Sequence, residues 1–141
     1  MLHTQRSYGG SCVAPHHLAA SAGRDVLKQG GNAVEAMVAA AAAIAVVYPH
    51  MNALGGDGFW LIHEPGKAPV AIDACGPAAQ LANRDFYAGE SQIPERGPKA
   101  ALTMAGTISG WQEALNVAAG WGNALPLPTL LADAIRHADE G

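Results

Sequence analysis

Cysteine is scarce in this sequence of 141 residues, which contains two, Cys12 and Cys75. A disulfide framework needs more cysteines than this, and a metal site needs its ligands in close pairs. The histidines do not supply such pairs, because no H-x-x-x-H pattern occurs and no carboxylate lies at metal-ligand spacing from a histidine. We therefore expect no disulfide framework and no bound metal.

Clustered positive charge and long apolar segments are also lacking. The net charge is −4, and no basic cluster of the kind that follows a phosphate backbone occurs, which argues against nucleic-acid binding. The longest apolar run, Ala36–Tyr48, is shorter than the ~20 residues that cross a bilayer and predicts a buried helix instead. The first ten residues contain no apolar signal core. We therefore expect a cytoplasmic protein without a membrane partner.

Two helices are predicted in the first third of the chain. An apolar stripe at helical spacing predicts a helix over His16–Gln29, which Gly30 and Gly31 end. Asn32 then stands at the N-cap of a second helix, Ala33–Val47, with Glu35 placed for a capping box. This second helix is apolar nearly all round, so it is the central one and is covered on several sides.

A β-hairpin and two more helices complete the predicted order of elements. Phe59–His63 and Val70–Ala74 are the strands, with turn residues at Glu64–Lys67. Both strands are apolar at consecutive positions, which predicts a sheet covered on both faces. After a turn-rich region, helices are expected over Ile108–Ala119, capped by Thr107 or Ser109, and from Pro128 or Thr129 onward. The fold class is α/β (α+β), and residues 1–141 are taken as a single segment.

The glycine-rich stretch Gly55–Gly58 is the motif that most resembles a ligand-binding loop. A dinucleotide-binding fingerprint requires the order strand, glycines, helix, whereas here a helix precedes the glycines and a strand follows them. A phosphate-binding Walker loop would require Gly-Lys-Ser/Thr, which is missing. The remaining alternatives are a structural corner and a direct ligand contact, and the local residues favour the corner.

No nucleophile is indicated by its local sequence. Ser109 lacks the G-x-S-x-G context, and Cys75 has no recognisable base as partner. Among the histidines, His50 is the one candidate for a site, because it adjoins the glycine-rich loop. The residues taken alone predict a fold but no reaction.

Three segments resemble the γ-glutamyltranspeptidase family. The first is GGNAVEAMVAAAAAIAVVYPHMNALGGDGFWLI with the following AIDACGPA, and the others are AGTISGWQEAL and LADAIRHADEG. The resemblance extends from about Pro15 to Gly141 and corresponds to the N-terminal part of the family's large subunit. It implies an N-terminal-nucleophile hydrolase whose four-layer αββα sandwich is incomplete in this chain.

The same resemblance implies a precursor that cleaves itself into a large and a small subunit. The new N-terminal threonine of the small subunit is the nucleophile and would lie outside this chain, which alone should be inactive. Its own α-amine acts as the base, an acyl-enzyme forms on an amide substrate, and no cofactor is required. The implied partners are the small subunit, in a heterodimer that could form a higher oligomer, and a small-molecule amide.

One departure from the family bears on specificity. The family places an arginine just after the second strand, where it binds the substrate's α-carboxylate, and that position falls on Cys75, with Gly76 at the acidic neighbour. A thiol cannot replace a bidentate guanidinium. We therefore expect hydrolysis of a non-γ-glutamyl amide, oxamate-like or glutaryl-type, with Cys75 and Gly76 near the acyl pocket and His50, Gly55 and Gly56 beside it. The alternatives are a true γ-glutamyl transferase or hydrolase and a non-catalytic scaffold chain.

Overall fold

A computed structural model describes residues 6–100, 103–122 and 124–141. The elements are α1 (His17–Lys28), α2 (Ala33–Val47), β1 (Gly58–Ile62), β2 (Val70–Ala74), α3 (Thr107–Val117) and α4 (Leu127–Glu140). The described residues divide into two units, those within 1–53 and 114–141 and those within 54–113, and the division falls within α3. The predicted order of elements is confirmed, and each boundary given above lies within two residues of the observed one.

Helix α2 is the centre of the first unit and packs against both α1 and α4. Its buried side chains are small, mostly alanines, which allows close approach of the neighbouring helices. Gly23 of α1 is one such contact, because a Cβ atom there would lie 2.8 Å from the carbonyl oxygen of Ala36. Among the described residues, no helix has the length and apolarity needed to span a membrane.

The α1–α2 joint has the geometry that its glycines predict. Gly30 has φ 89°, its N–H bonds to the carbonyl of Leu27, and the N–H of Gly31 bonds to the carbonyl of Val26. This is the double hydrogen bond of a Schellman motif. The capping box that follows is confirmed, since Asn32 accepts from the N–H of Glu35 and the Glu35 carboxylate accepts from the N–H of Asn32.

The second unit contains the antiparallel hairpin of β1 and β2. Gly58 pairs with Ala74 and Ile62 with Val70, and the connecting turn has Gly66 at φ 81° after a proline, as a type II turn requires. Gly110 of α3 lies against Trp60 and Ala74 on one face of the sheet.

The prediction of a sheet covered on both faces is wrong for the described chain. Phe59 and Leu61 point to the face opposite Trp60, and their residues are 69% and 78% exposed. The described residues of this unit therefore cover one face of the hairpin, and an apolar patch remains on the other.

Candidate functional site

The glycine-rich loop is held by the first residues of α3. The carbonyl oxygen of Gly56 accepts three hydrogen bonds, from the N–H groups of Gly106 and Thr107 at 3.0 Å and from Thr107 Oγ1 at 2.8 Å. The first N–H groups of a helix lack intrahelical partners, and here a loop carbonyl satisfies one of them. Thr107 was expected as a possible N-cap acceptor; it is instead the first helical residue, and its hydroxyl donates. These hydrogen bonds hold the loop as a corner against the start of α3.

Two further glycines bring the segment after β2 against the segment before α3. A Cβ atom at Gly76 would lie 1.8 Å from the carbonyl oxygen of Met104, and one at Gly106 would lie 1.9 Å from the carbonyl oxygen of Ala74. No larger residue fits at either position without movement of the backbone. The N–H of Met104 also donates to the carbonyl of Pro77 at 3.1 Å. These contacts fix the backbone around residues 75 and 76.

The side chain at the centre of this arrangement is Asp57. Its Oδ1 accepts a hydrogen bond from Thr103 Oγ1 at 2.9 Å, and the thiol of Cys75 and the N–H of Gly76 face the same carboxylate. The pKa of Asp57 is lowered, chiefly by the Thr103 hydrogen bond and further by those from Cys75 and Gly76. Asp57 therefore carries a negative charge at neutral pH.

Cys75 lies exposed between two carboxylates. Its N–H donates to Asp73 Oδ1 at 2.9 Å, and its thiol lies 3.9 Å from the carbonyl oxygen of Gly76 and near the Asp57 carboxylate. The pKa of the Cys75 thiol is raised, first by its hydrogen bond to Asp57, then by desolvation and by the charges of Asp57 and Asp73. A thiol in this setting stays protonated and is a poor nucleophile, so its surroundings give no support for Cys75 as a catalytic group.

The structure brings four of the five predicted site residues into one unit. The corner formed by Gly55 and Gly56 is linked through Asp57 to Cys75 and Gly76. His50 belongs to the other unit, where it is exposed and its ring lies 4.2 Å from that of Tyr48, centroid to centroid.

Sequence reasoning did not select Asp57 as a site residue. The available signal was weak, a carboxylate in the middle of a glycine run, because aspartate is also common in turns for structural reasons. Its partner Thr103 is 46 positions away in sequence, so the contact itself could not be inferred from local spacing.

A separate groove of about 600 Å³ lies in the first unit, between residues 6–12 and α1. None of the predicted site residues lines it. Across the described parts of the chain, no three histidine, cysteine, aspartate or glutamate side chains are grouped so that they could hold a metal ion.

The sequence matches a known family and several of its members. Residues 19–141 match the family described as gamma-glutamyltranspeptidase. The chain is 62% identical over 133 residues to the oxamate amidohydrolase proenzyme of Klebsiella pneumoniae subsp. pneumoniae, covering 94% of this chain and 25% of that protein. It is 46% identical over 104 residues to the glutathione hydrolase-like YwrD proenzyme of Bacillus subtilis (strain 168), covering 73% of this chain and 20% of that protein.

The fold also matches that of a solved structure. The chain superposes on the gamma-glutamyltranspeptidase of Helicobacter pylori with a TM-score of 0.81 and 29% identity, over 95% of this chain and 38% of that one. It spans about a quarter or less of the length of the two curated relatives named above. Its helices and small antiparallel sheet are thus one portion of the larger N-terminal-nucleophile hydrolase fold. The chain belongs to the γ-glutamyltranspeptidase family.

Proposed function

We propose that the full-length protein is an amidohydrolase that cleaves a small, non-γ-glutamyl amide, with an oxamate-like amide as the leading substrate class. The observation that carries this proposal is Cys75, a neutral, exposed thiol at the position where the family's carboxylate-binding arginine is expected. The 62% identity with a relative named for oxamate amidohydrolysis supports the same reading.

In this proposal the chemistry takes place on a threonine outside residues 1–141. These residues form the N-terminal part of the large subunit, and the threonine is the first residue of a small subunit released from the same precursor. Its hydroxyl attacks the amide carbonyl with the adjacent α-amine as base, ammonia or an amine leaves, and water hydrolyses the acyl-enzyme. That relatives are named as proenzymes supports a processed precursor. The two subunits form a heterodimer, which we place in the cytoplasm.

The contribution of this chain is then the wall of the acyl pocket. Cys75 and Gly76 form the part nearest the acyl group, and the corner at Gly55 and Gly56 keeps Asp57 beside them. The closeness of Gly76 to Met104 supports this role, because a side chain at position 76 would displace the backbone there. His50 remains a neighbour of lower rank, on the basis of its sequence position alone.

The test is to purify the full-length protein and to follow self-cleavage by gel and intact mass. Ammonia release from oxamate is then compared with hydrolysis of a chromogenic γ-glutamyl anilide. We expect two fragments, ammonia from oxamate, and a much smaller kcat/KM for the anilide. A preference for the γ-glutamyl anilide would overturn the proposal in favour of a true γ-glutamyl enzyme. An uncleaved, inactive protein would instead support a scaffold chain.

A further inference from the structure

We propose that Asp57 is a specificity-determining residue, which keeps acyl groups with a distal carboxylate out of the pocket and so restricts the enzyme to short acyl amides. This inference rests on the proposed function and names its substrate class more narrowly. It starts from the geometry that places Asp57 beside Cys75 and Gly76: Asp57 Oδ1 accepts from Thr103 Oγ1 at 2.9 Å, and Thr103 forms a β-bridge with Ala78, next to the close approach of Met104 to Gly76.

The carboxylate of Asp57 is anchored from two sides. Thr103 Oγ1 donates to Oδ1 at 2.9 Å, and the N–H of Gly76 lies near enough to the carboxylate to help lower its pKa. Its backbone is anchored as well, because the carbonyl of Asp57 accepts from Thr107 Oγ1 at 3.2 Å, next to the Gly56 corner. A side chain held in this way keeps its charge in place when a ligand approaches.

No positive charge compensates this carboxylate in the parts of the chain that the structure describes. The lysine and arginine ion pairs found there involve other acidic residues, not Asp57 or Asp73. Both of these aspartates act on the Cys75 thiol and raise its pKa. The surface around Cys75 is therefore negative, and an anionic group placed there is repelled.

The length of the acyl group decides whether it meets this charge. In γ-glutamyl and glutaryl amides a carboxylate stands at the far end of the acyl chain, where the family's arginine would receive it. In oxamate the carboxylate is bonded directly to the amide carbon and does not extend to that position. Asp57 therefore disfavours both longer acyl groups, and of the two substrate classes expected from sequence it selects the oxamate-like one.

The same contact affects the arginine that the family places at this position. A guanidinium introduced by Cys75→Arg would stand beside the Asp57 carboxylate and would pair with it, because this pairing is bidentate and charge-assisted. The arginine would then be unavailable to a substrate carboxylate. Cys75→Arg alone should therefore add little γ-glutamyl activity. A larger gain requires removal of the Asp57 charge as well.

The experiment is a double-mutant cycle in the full-length protein with Asp57→Asn, Cys75→Arg and the pair. Asp85→Asn, an exposed aspartate of the same unit outside this cluster, is the matched control. Asp57→Ser is a second neutral variant in case Asp57→Asn does not fold, and self-cleavage reports folding for each protein. Oxamate, a glutaryl anilide and a γ-glutamyl anilide are the substrates.

We expect Asp57→Asn to raise kcat/KM for the glutaryl anilide about tenfold or more, mainly through KM, as removal of a nearby like charge does. The paired variant should exceed Cys75→Arg by a similar factor on the γ-glutamyl anilide. Asp85→Asn should leave all three substrates unchanged. Equal γ-glutamyl activity of Cys75→Arg and the paired variant would overturn the inference, as would equal effects of Asp57→Asn and Asp85→Asn. Failure of the proposed function is separate, since it shows in the unsubstituted protein.

Discussion

Replacement of Glu35 by alanine should destabilise two segments together, the start of α2 and the segment before α4. Glu35 is 2% exposed, and both of its carboxylate oxygens accept backbone hydrogen bonds at 2.7 Å, one from the N–H of Asn32 and one from that of Leu125. Glu35 and Leu125 are 90 positions apart, so one side chain connects two distant segments. Alanine removes both acceptors at once.

The expected size of the effect follows from these two bonds. A hydrogen bond to a charged group contributes about 1.5–3 kcal/mol, so losing both should lower the local free energy of opening by about 3 kcal/mol or more. This corresponds to a roughly hundredfold rise in amide exchange, because each 1.36 kcal/mol is a factor of ten. Glu35→Gln keeps one acceptor oxygen and places an amide NH₂ where the second stood, so it should lose about half of this free energy.

Hydrogen exchange of the full-length protein, followed by mass spectrometry, measures the local free energy of opening peptide by peptide. Peptides covering residues 30–36 and 124–128 should lose protection in Glu35→Ala, and to a smaller extent in Glu35→Gln. Glu113→Ala, an exposed glutamate in α3, is the control and should leave these peptides unchanged. If Glu35→Ala exchanged at the unsubstituted rate in both peptides, the linking role of Glu35 would be refuted. Loss of protection in the first peptide alone would reduce Glu35 to a local cap.

Two further predictions concern the candidate site. Gly76→Ala should sharply lower the yield of soluble protein, because the added Cβ would lie 1.8 Å from the Met104 carbonyl oxygen. A Cβ added at Gly55 would have no atom within 4 Å, so Gly55→Ala should match the unsubstituted yield. Equal yields of the two variants would contradict the close contact at Gly76. Iodoacetamide should alkylate Cys75 faster in Asp57→Asn than in the unsubstituted protein, as measured on the peptide that contains Cys75 between pH 7 and 9. Loss of the carboxylate lowers the pKa of the thiol and so increases the thiolate fraction at each pH. Identical pH profiles would show that Asp57 does not act on the thiol.

The helices of the first unit were predictable because their signals are local. The capping box of Asn32 and Glu35 fixes the start of α2, Pro49 follows its end, and Gly30 takes the left-handed conformation that ends α1. The second bond of Glu35, to Leu125, was not predictable, because it depends on how distant segments pack. Sequence spacing carries no information on such a contact.

The candidate site also contains residues that could be selected from the sequence and residues that could not. Cys75 could be selected because a residue expected there by resemblance is missing, and the glycine run drew attention to its loop. The role of Asp57 emerged only when folding placed it beside Cys75 and Thr103. The open apolar face with Phe59 and Leu61 was also missed, because a run of apolar residues does not reveal which part of a protein covers them.

The hydrogen bonds that position the loop at Gly56 are independent of the side chain that gives the loop its charge. Three hydrogen bonds to a main-chain oxygen determine the path of the loop, and none of them depends on the identity of the side chain that follows. A codon change at position 57 could therefore alter the charge that a substrate meets while the corner keeps its shape. An enzyme built in this way can acquire a new substrate preference by single substitutions, without first losing and regaining its fold.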